Sequence, residues 1–214
     1  MRIGILGSGA VGQALGSGLA ALGHEVKMGT REPAAEKVQA WVVKTGGKTS
    51  AGTFAEAAAF ADLGILATMW AGTENAIRLA GPEALASRTV IDATNPLVFG
   101  ATGPPTLALG FGDSGGEQVQ RWLPRAKVVK AFNIVGNAHM VKPDFPGGPP
   151  DMIIAGDDPG ARLQVSDLAT QLGWPVIDLG PLENARYLEP LAMIWIIHGF
   201  KAGTWNHAFK LLKK

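Results

Sequence analysis

Apolar positions along the chain fall into two kinds of segment that alternate. Short runs of aliphatic and β-branched residues predict strands over 2–6, 25–28, 63–67, 89–93, 127–132, 151–155 and 175–178, with a weaker one near 48–50. Ala- and Leu-rich stretches between them predict helices over 11–22, 34–43, 54–61, 73–80, 117–122, 159–172 and 184–202. Strand and helix in repeated alternation is the pattern of a mainly parallel sheet covered on both faces, because each parallel return needs a long crossover. The expected class is α/β, doubly wound, with an apolar helix appended at the C-terminal end.

Two stretches carry neither period. Residues 96–116 are rich in Gly and Pro, and 142–150 contain Pro143, Pro146, Pro149 and Pro150, so both predict loops. The first follows the carboxyl end of a strand, the edge at which open α/β sheets place their ligand crevice; it reads either as a mobile cover or as a plain surface excursion. The last helix is apolar nearly all round, with Tyr187, Leu188, Leu191, Ala192, Ile194, Trp195, Ile196, Ile197 and Phe200. Such a helix has to be covered on several sides. It is expected to pack on its own sheet and on a second subunit, giving a homodimer.

Charge narrows the partners. Nineteen basic residues against eighteen acidic ones leave a net charge of +1, which gives no global field for nucleic acid or an anionic membrane, so any anion site must be local. The absence of cysteine excludes disulfides, thiolate metal sites and a cysteine nucleophile, and no spacing of His, Asp and Glu suggests a metal. The apolar stretch 3–22 could pass for a secretory signal, but Gly4, Gly7, Gly9 and Gly12 interrupt it and the strand pattern resumes at 24–29. The longest later apolar run, 191–197, is far short of the roughly twenty residues that cross a bilayer. A cytoplasmic protein without a membrane segment is expected, which argues against transfer of electrons to an attached haem domain.

The chemistry concentrates at the first strand-to-helix turn. Gly7-Ser8-Gly9-Ala10-Val11-Gly12 matches G-x-G-x-x-G between a strand and a helix. In that setting the first glycine makes the turn, the second admits a pyrophosphate and the third lets helix and strand approach, which is the fingerprint of a Rossmann dinucleotide site. The pyrophosphate then meets free N–H groups at a helix N-terminus. Choice between dinucleotides depends on the end of the second strand. Where an NAD site has a carboxylate, this chain has Gly29-Thr30-Arg31, and a hydroxyl beside a guanidinium suits the 2′-phosphate of NADP(H). Glu32 reads as a cap on the following helix, and Lys37 as a weaker second phosphate contact. Residues 1–180 are thus expected to form an NADP-binding Rossmann domain, and 181–214 a helical appendage packed on it as one compact unit.

Several residues sit where the nicotinamide end would lie. Asn95-Pro96 and Asn133 stand at the tips of two strands, where an amide either faces nicotinamide or ribose or simply makes a turn. His139 is the imidazole nearest that crevice, and reads either as a proton donor or as a holder of local backbone. His24 reads as structural; His198 and His207, mixed with Trp195 and Trp205, read as packing or interface residues.

The chain resembles the coenzyme F420-dependent NADP oxidoreductase family, whose relatives include the reductase domain of the six-transmembrane metalloreductases. The resemblance rests on the Gly7–Gly12 loop, Gly29-Thr30-Arg31, the segment Lys130-Ala131-Phe132-Asn133-Ile134-Val135-Gly136 and the run from Asp178 to Arg186. It implies that Ser8, Thr30 and Arg31 hold the 2′-phosphate and that Ala67-Thr68-Met69-Trp70 borders the nicotinamide, with Met69 where the family usually has Pro. Asn133 and Val135 would face the same end. It further implies hydride exchange between NADPH and a deazaflavin (coenzyme F420) or a flavin such as FMN or FAD. Ring-to-ring hydride transfer needs no acid–base pair, and none is evident: Tyr187 lacks the lysine four positions on, where Leu191 stands. Two other readings compete. One is a reductase of a small carbonyl or imine, which would need a large helical domain with a catalytic lysine. The other is a non-catalytic NADP(H) sensor or regulatory module.

Overall fold

The computed structural model describes residues 1–212; the last two residues of the expected appendage, 213 and 214, lie outside them. In chain order the elements are β1 (Arg2–Leu6), α1 (Ala10–Ala21), β2 (Glu25–Gly29), α2 (Glu36–Thr45), β3 (Thr49–Gly52), α3 (Phe54–Phe60), β4 (Leu63–Leu66), α4 (Trp70–Ala80), β5 (Thr89–Asp92), β6 (Leu97–Val98), β7 (Thr106–Leu107), α5 (Gly115–Trp122), β8 (Lys127–Lys130), β9 (Met152–Gly156), α6 (Pro159–Gln171), β10 (Val176–Asp178) and α7 (Ala185–Ala202). Eight strands form one sheet in the order β10-β9-β8-β5-β4-β1-β2-β3, and β6 pairs with β7 in a separate two-stranded ribbon. Pairing is parallel from β3 across to β8; β9 runs antiparallel to β8, and β10 parallel to β9.

Alternation along the strands builds two cores, because successive side chains point to opposite faces. Ile3, Ile5, Val26, Met28, Ile65 and Val129 pack under α1, α2 and α6 through Leu15, Leu19, Trp41, Val165 and Leu168. On the other face Leu6, Leu66, Val90 and Val128 meet α3, α4 and α5 through Phe54, Ala57, Ile77 and Val119. Helices on both faces of a mainly parallel sheet make this the doubly wound Rossmann architecture.

The departures from the sequence pattern are local. β8 stops at Lys130, two residues before its apolar run ends, and Phe132, with φ 62°, turns the chain out of the sheet. Helix α4 begins at Trp70 rather than residue 73, since Ala71 and Gly72 carry no helical apolar signal. The ribbon β6–β7 lies inside the loop 96–116, which lacked any period. On α7, Leu188, Ala192 and Ile196 are buried while Tyr187, Ile194 and Ile197 are exposed, so within one chain the helix is covered on one side only. The segment after α7 folds back along the loop at 149–151: Asp151 N donates to the Phe209 carbonyl at 3.0 Å, and Leu211 N donates to the Asp151 carboxylate at 2.6 Å.

Candidate functional site

The carboxyl ends of β1, β2, β4, β5 and β8 lie along one edge of the sheet: Leu6 pairs with Gly29 and Leu66, Leu66 with Asp92, and Asp92 with Lys130. The strand order reverses between β1 and β4, the point at which open sheets of this kind form a crevice. A cleft of about 480 Å³ opens there. Its floor is Gly7, Ser8, Gly9, Ala10 and Val11; Thr30, Arg31 and Lys37 stand on one side, and Ala67, Thr68 and Met69 on the other.

The glycines divide the labour by geometry. Gly7 has φ 131°, and a Cβ there would lie 2.3 Å from the Ala67 carbonyl oxygen. At Gly12 a Cβ would lie 2.1 Å from the Gly7 carbonyl oxygen, so α1 can sit this close only without one. A Cβ on Gly9 would meet nothing within 4 Å. The room left by Gly9 therefore belongs to the cleft and not to protein packing. Gly9 is also the N-cap of α1 and supplies no side-chain acceptor, so the helix presents its first N–H groups to the cleft. Ser8 Oγ donates to Thr30 Oγ1 at 3.2 Å, which fixes two hydroxyls at the end of β2. Arg31 and Lys37 are exposed and make no ion pair among the described residues. These donors suit a dinucleotide carrying a 2′-phosphate. Glu32 does not cap α2, whose N-cap is Ala35 without a side-chain bond.

A second pocket, about 370 Å³, lies at the ends of β5 and β8. Asn95, Asn133 and Val135 form its base, with Leu97, Phe99 and Pro105 from the 96–116 loop and Trp195, Ile196, Phe200 and Trp205 from the C-terminal segment. Asn95 Nδ2 donates to the Asn133 carbonyl at 2.7 Å, and Asn133 Nδ2 donates to Asn95 Oδ1 at 3.0 Å and to the Leu188 carbonyl at 3.1 Å. Asn133 Oδ1 has no hydrogen-bond partner among the described residues.

Other expected site residues are placed elsewhere. Trp70 packs at a tilt against Trp122 with ring centres 5.4 Å apart and lines a separate hollow against α5, because it opens α4 on the side facing that helix. Pro96 is buried behind the second pocket, near Gly115. His139 lines neither the cleft nor the second pocket. Its Nε2 meets Asn206 Oδ1 at 3.1 Å and its ring lies 4.8 Å from Phe145, a role in holding the loop and the C-terminal segment. In the nicotinamide-side loop, the hydroxyls of Thr68 and Thr73 are 2.8 Å apart and tie that loop to α4.

A buried ionic group behind the crevice escaped the sequence reading. Lys130 Nζ is 2.7 Å from Asp92 Oδ2 and 2.8 Å from Glu189 Oε1, and it donates to the Thr94 carbonyl at 2.9 Å. All three side chains are essentially without solvent contact. Asp92 Oδ1 also accepts from Thr94 N and Oγ1, and the Glu189 carboxylate accepts from Gly115 N and Gly116 N at the start of α5. One lysine thus joins β5, β8, α5 and α7. Burial works against the Lys130 ammonium, but the two carboxylates outweigh it and leave its pKa above the ordinary value. The available signals were a lysine in an apolar strand and a glutamate in an otherwise apolar helix.

Comparison with known proteins agrees with this geometry. Residues 2–96 match the family model described as NADP oxidoreductase, coenzyme F420-dependent. A crystal structure of a candidate F420-dependent NADP-reductase from Arthrobacter sp. FB24 is 39% identical, covers 100% of both chains and superposes with a TM-score of 0.94. Metalloreductase STEAP3 of Rattus norvegicus is 26% identical over 201 residues; the match takes in 90% of this chain but 36% of that protein's length. An imine reductase from Streptomyces aurantiacus, 18% identical with a TM-score of 0.63 over 91% of this chain and 61% of that one, shares the fold.

Proposed function

The chain belongs to the coenzyme F420-dependent NADP oxidoreductase family and is an NADP-dependent oxidoreductase; from that premise we propose that it passes a hydride between NADPH and a deazaflavin or flavin ring. The observation that carries this reading is the placement of two unlike sites along one sheet edge: a cleft with free cations and helix N–H groups at the ends of β1, β2 and β4, and an aromatic-walled pocket past the ends of β5 and β8.

In this reading the N–H groups at the start of α1 hold the pyrophosphate, and the space beside Gly9 admits it. Thr30, Arg31 and Ser8 hold the 2′-phosphate, with Lys37 as an outer contact. Ala67, Thr68 and Met69 guide the chain of the dinucleotide toward β5. The nicotinamide supplies the hydride when bound. Asn95 and Val135 would set its edge against the second pocket, so that two rings meet at about 3–3.5 Å in a site with little water. No proton relay is required of the protein.

Two further features belong to the same proposal. The exposed stripe Tyr187, Ile194 and Ile197 on α7 is covered by a second copy of the chain, making a homodimer. No helix among the described residues is long and apolar enough to cross a membrane. A cytoplasmic location is part of the same proposal.

The test is oxidation of NADPH by the purified protein, followed at the nicotinamide absorbance band, with coenzyme F420, FMN, FAD and riboflavin offered separately. Rapid turnover with at least one ring acceptor is expected. Tight NADPH binding with none of them turned over contradicts the reading and points to a small-carbonyl or imine reductase, or to a sensor.

A further inference from the structure

The two sites differ in the kind of group each is built to hold. The dinucleotide cleft places Arg31, Lys37 and a helix N-terminus where anionic groups would lie. Every residue that lines the second pocket is uncharged, and its polar members are the amides of Asn95 and Asn133. Its outer wall is aromatic: Trp195 and Trp205 have ring centres 5.0 Å apart, and Phe200 meets Trp205 edge-on at 5.6 Å.

These rings are fixed. A Cβ on Gly199 would lie 2.4 Å from the Trp205 ring, and one on Gly136 would lie 3.1 Å from the Trp195 ring, so both indoles rest on bare backbone. Trp195 Nε1 donates to the His207 carbonyl at 2.7 Å, while His207 Nε2 lies 2.9 Å from the Trp195 carbonyl. That reciprocal pair pins the segment that carries Trp205 to α7. Residues 204–207, which take no helical or strand form, thus complete a pocket whose base is set by β5 and β8.

Resting on the hydride-transfer reading above, we propose that this pocket takes the ring of an acceptor whose substituent is neutral: a riboflavin-type ring bearing only hydroxyls, in preference to rings with a phosphate or carboxylate tail, and that Trp205 is the residue that binds its outer face. An anionic group brought to an apolar wall loses hydration without gaining a charge partner. A flat neutral ring loses little and gains stacking area. Asn133, at the base, also keeps one carbonyl oxygen free of protein partners for an N–H of such a ring. The reaction balances simply. The nicotinamide C4–H bond breaks with both electrons and forms an N–H bond on the flavin ring; NADPH is oxidised, the ring is reduced, and a solvent proton completes the second N–H.

The experiment is equilibrium binding of riboflavin and FMN, which share one ring, to the full chain saturated with NADP⁺. The expected result is riboflavin binding at least about tenfold more tightly than FMN. Trp205→Ala should weaken riboflavin about tenfold with the NADPH affinity unchanged, and Phe99→Arg, which adds a cation at the exposed rim, should tighten FMN relative to riboflavin. FMN binding as tightly as riboflavin in the wild type, or no effect of Trp205→Ala on riboflavin in a variant that melts normally, overturns the inference while leaving hydride transfer to flavins standing. Failure of both ligands to bind overturns the inference; the hydride-transfer reading beneath it falls only if coenzyme F420 and FAD also fail to oxidise NADPH.

Discussion

Asn95 and Asn133 hold each other across the ends of two adjacent strands, each donating a side-chain N–H to an oxygen of the other at 2.7 and 3.0 Å. The pair forms the base of the aromatic pocket, and Asn133 also reaches the Leu188 carbonyl, tying α7 to the sheet. Asn133→Ala leaves the Asn95 carbonyl group and the Leu188 carbonyl short of a donor. A loss of roughly 1–3 kcal/mol of stability is expected for such buried unpaired groups. Turnover should fall more than NADPH affinity does, because the phosphate contacts lie at the far end of the cleft. Denaturant melts and steady-state kinetics check both halves.

Gly9 and Gly12 separate binding from folding. At Gly9 a side chain enters open space, so Gly9→Val should keep the melting temperature near that of the wild type and weaken NADPH by at least about tenfold, or about 1.4 kcal/mol. At Gly12 a side chain meets backbone, so Gly12→Val should lower the melting temperature whether or not NADPH is present. Paired thermal melts and titrations distinguish these outcomes.

Lys130 neutralises carboxylates that have no access to water. Lys130→Met strands Asp92 and Glu189, and a cost of about 3–5 kcal/mol at neutral pH is expected. In the wild type the pKa of Lys130 is raised in the folded state. Its contribution is therefore fully present below the unfolded value of about 10.4 and lost as pH rises through the folded one. Urea melts of both proteins from neutral to alkaline pH, roughly 11, would show the deficit narrowing at the alkaline end; a deficit independent of pH contradicts the charge assignment.

Glu117 and Arg186 join α5 to α7 through two contacts of 2.9 and 2.5 Å. The Arg186 hydrogen bond holds the Glu117 carboxyl below its ordinary pKa of 4.5, with burial opposing and Ser114 assisting. A depressed carboxylate stabilises the fold above the ordinary value, and that stability is lost as pH falls through the folded-state value. Glu117→Gln should lower stability at pH 7 and flatten the acid limb of the stability profile below pH 4.5. An acid limb identical to that of the wild type contradicts this.

The dinucleotide half of the molecule was legible because its signals are local. Gly7, Gly9 and Gly12 stand within six positions, and Thr30-Arg31 directly follows the second strand, so spacing alone brought Gly7, Gly9, Thr30 and Arg31 to one cleft, with Gly12 in the helix–strand contact beneath it. The second site was not legible in this way. The sequence marks Trp195 and Trp205 only as neighbours of His198 and His207, which read as packing or interface residues, and the meeting of the two indoles with Asn95, Asn133 and Phe99 depends on a segment without periodicity folding back over α7. The Lys130 group was hidden for the same reason, since Asp92 and Lys130 meet only through the pairing of β5 with β8 and Glu189 reaches them from α7. Trp70 shows the converse error: it adjoins cleft residues in sequence, but a helix start turns its side chain toward Trp122.

The most direct test of the account is to measure NADPH and NADH binding to the wild type and to Arg31→Ala by calorimetry at one ionic strength. A 2′-phosphate held by Arg31 predicts that the wild type prefers NADPH and that the variant loses roughly 1.5–3 kcal/mol for NADPH with little change for NADH. Equal losses for both dinucleotides, or a wild type that favours NADH, would contradict the placement of NADP(H) in this cleft.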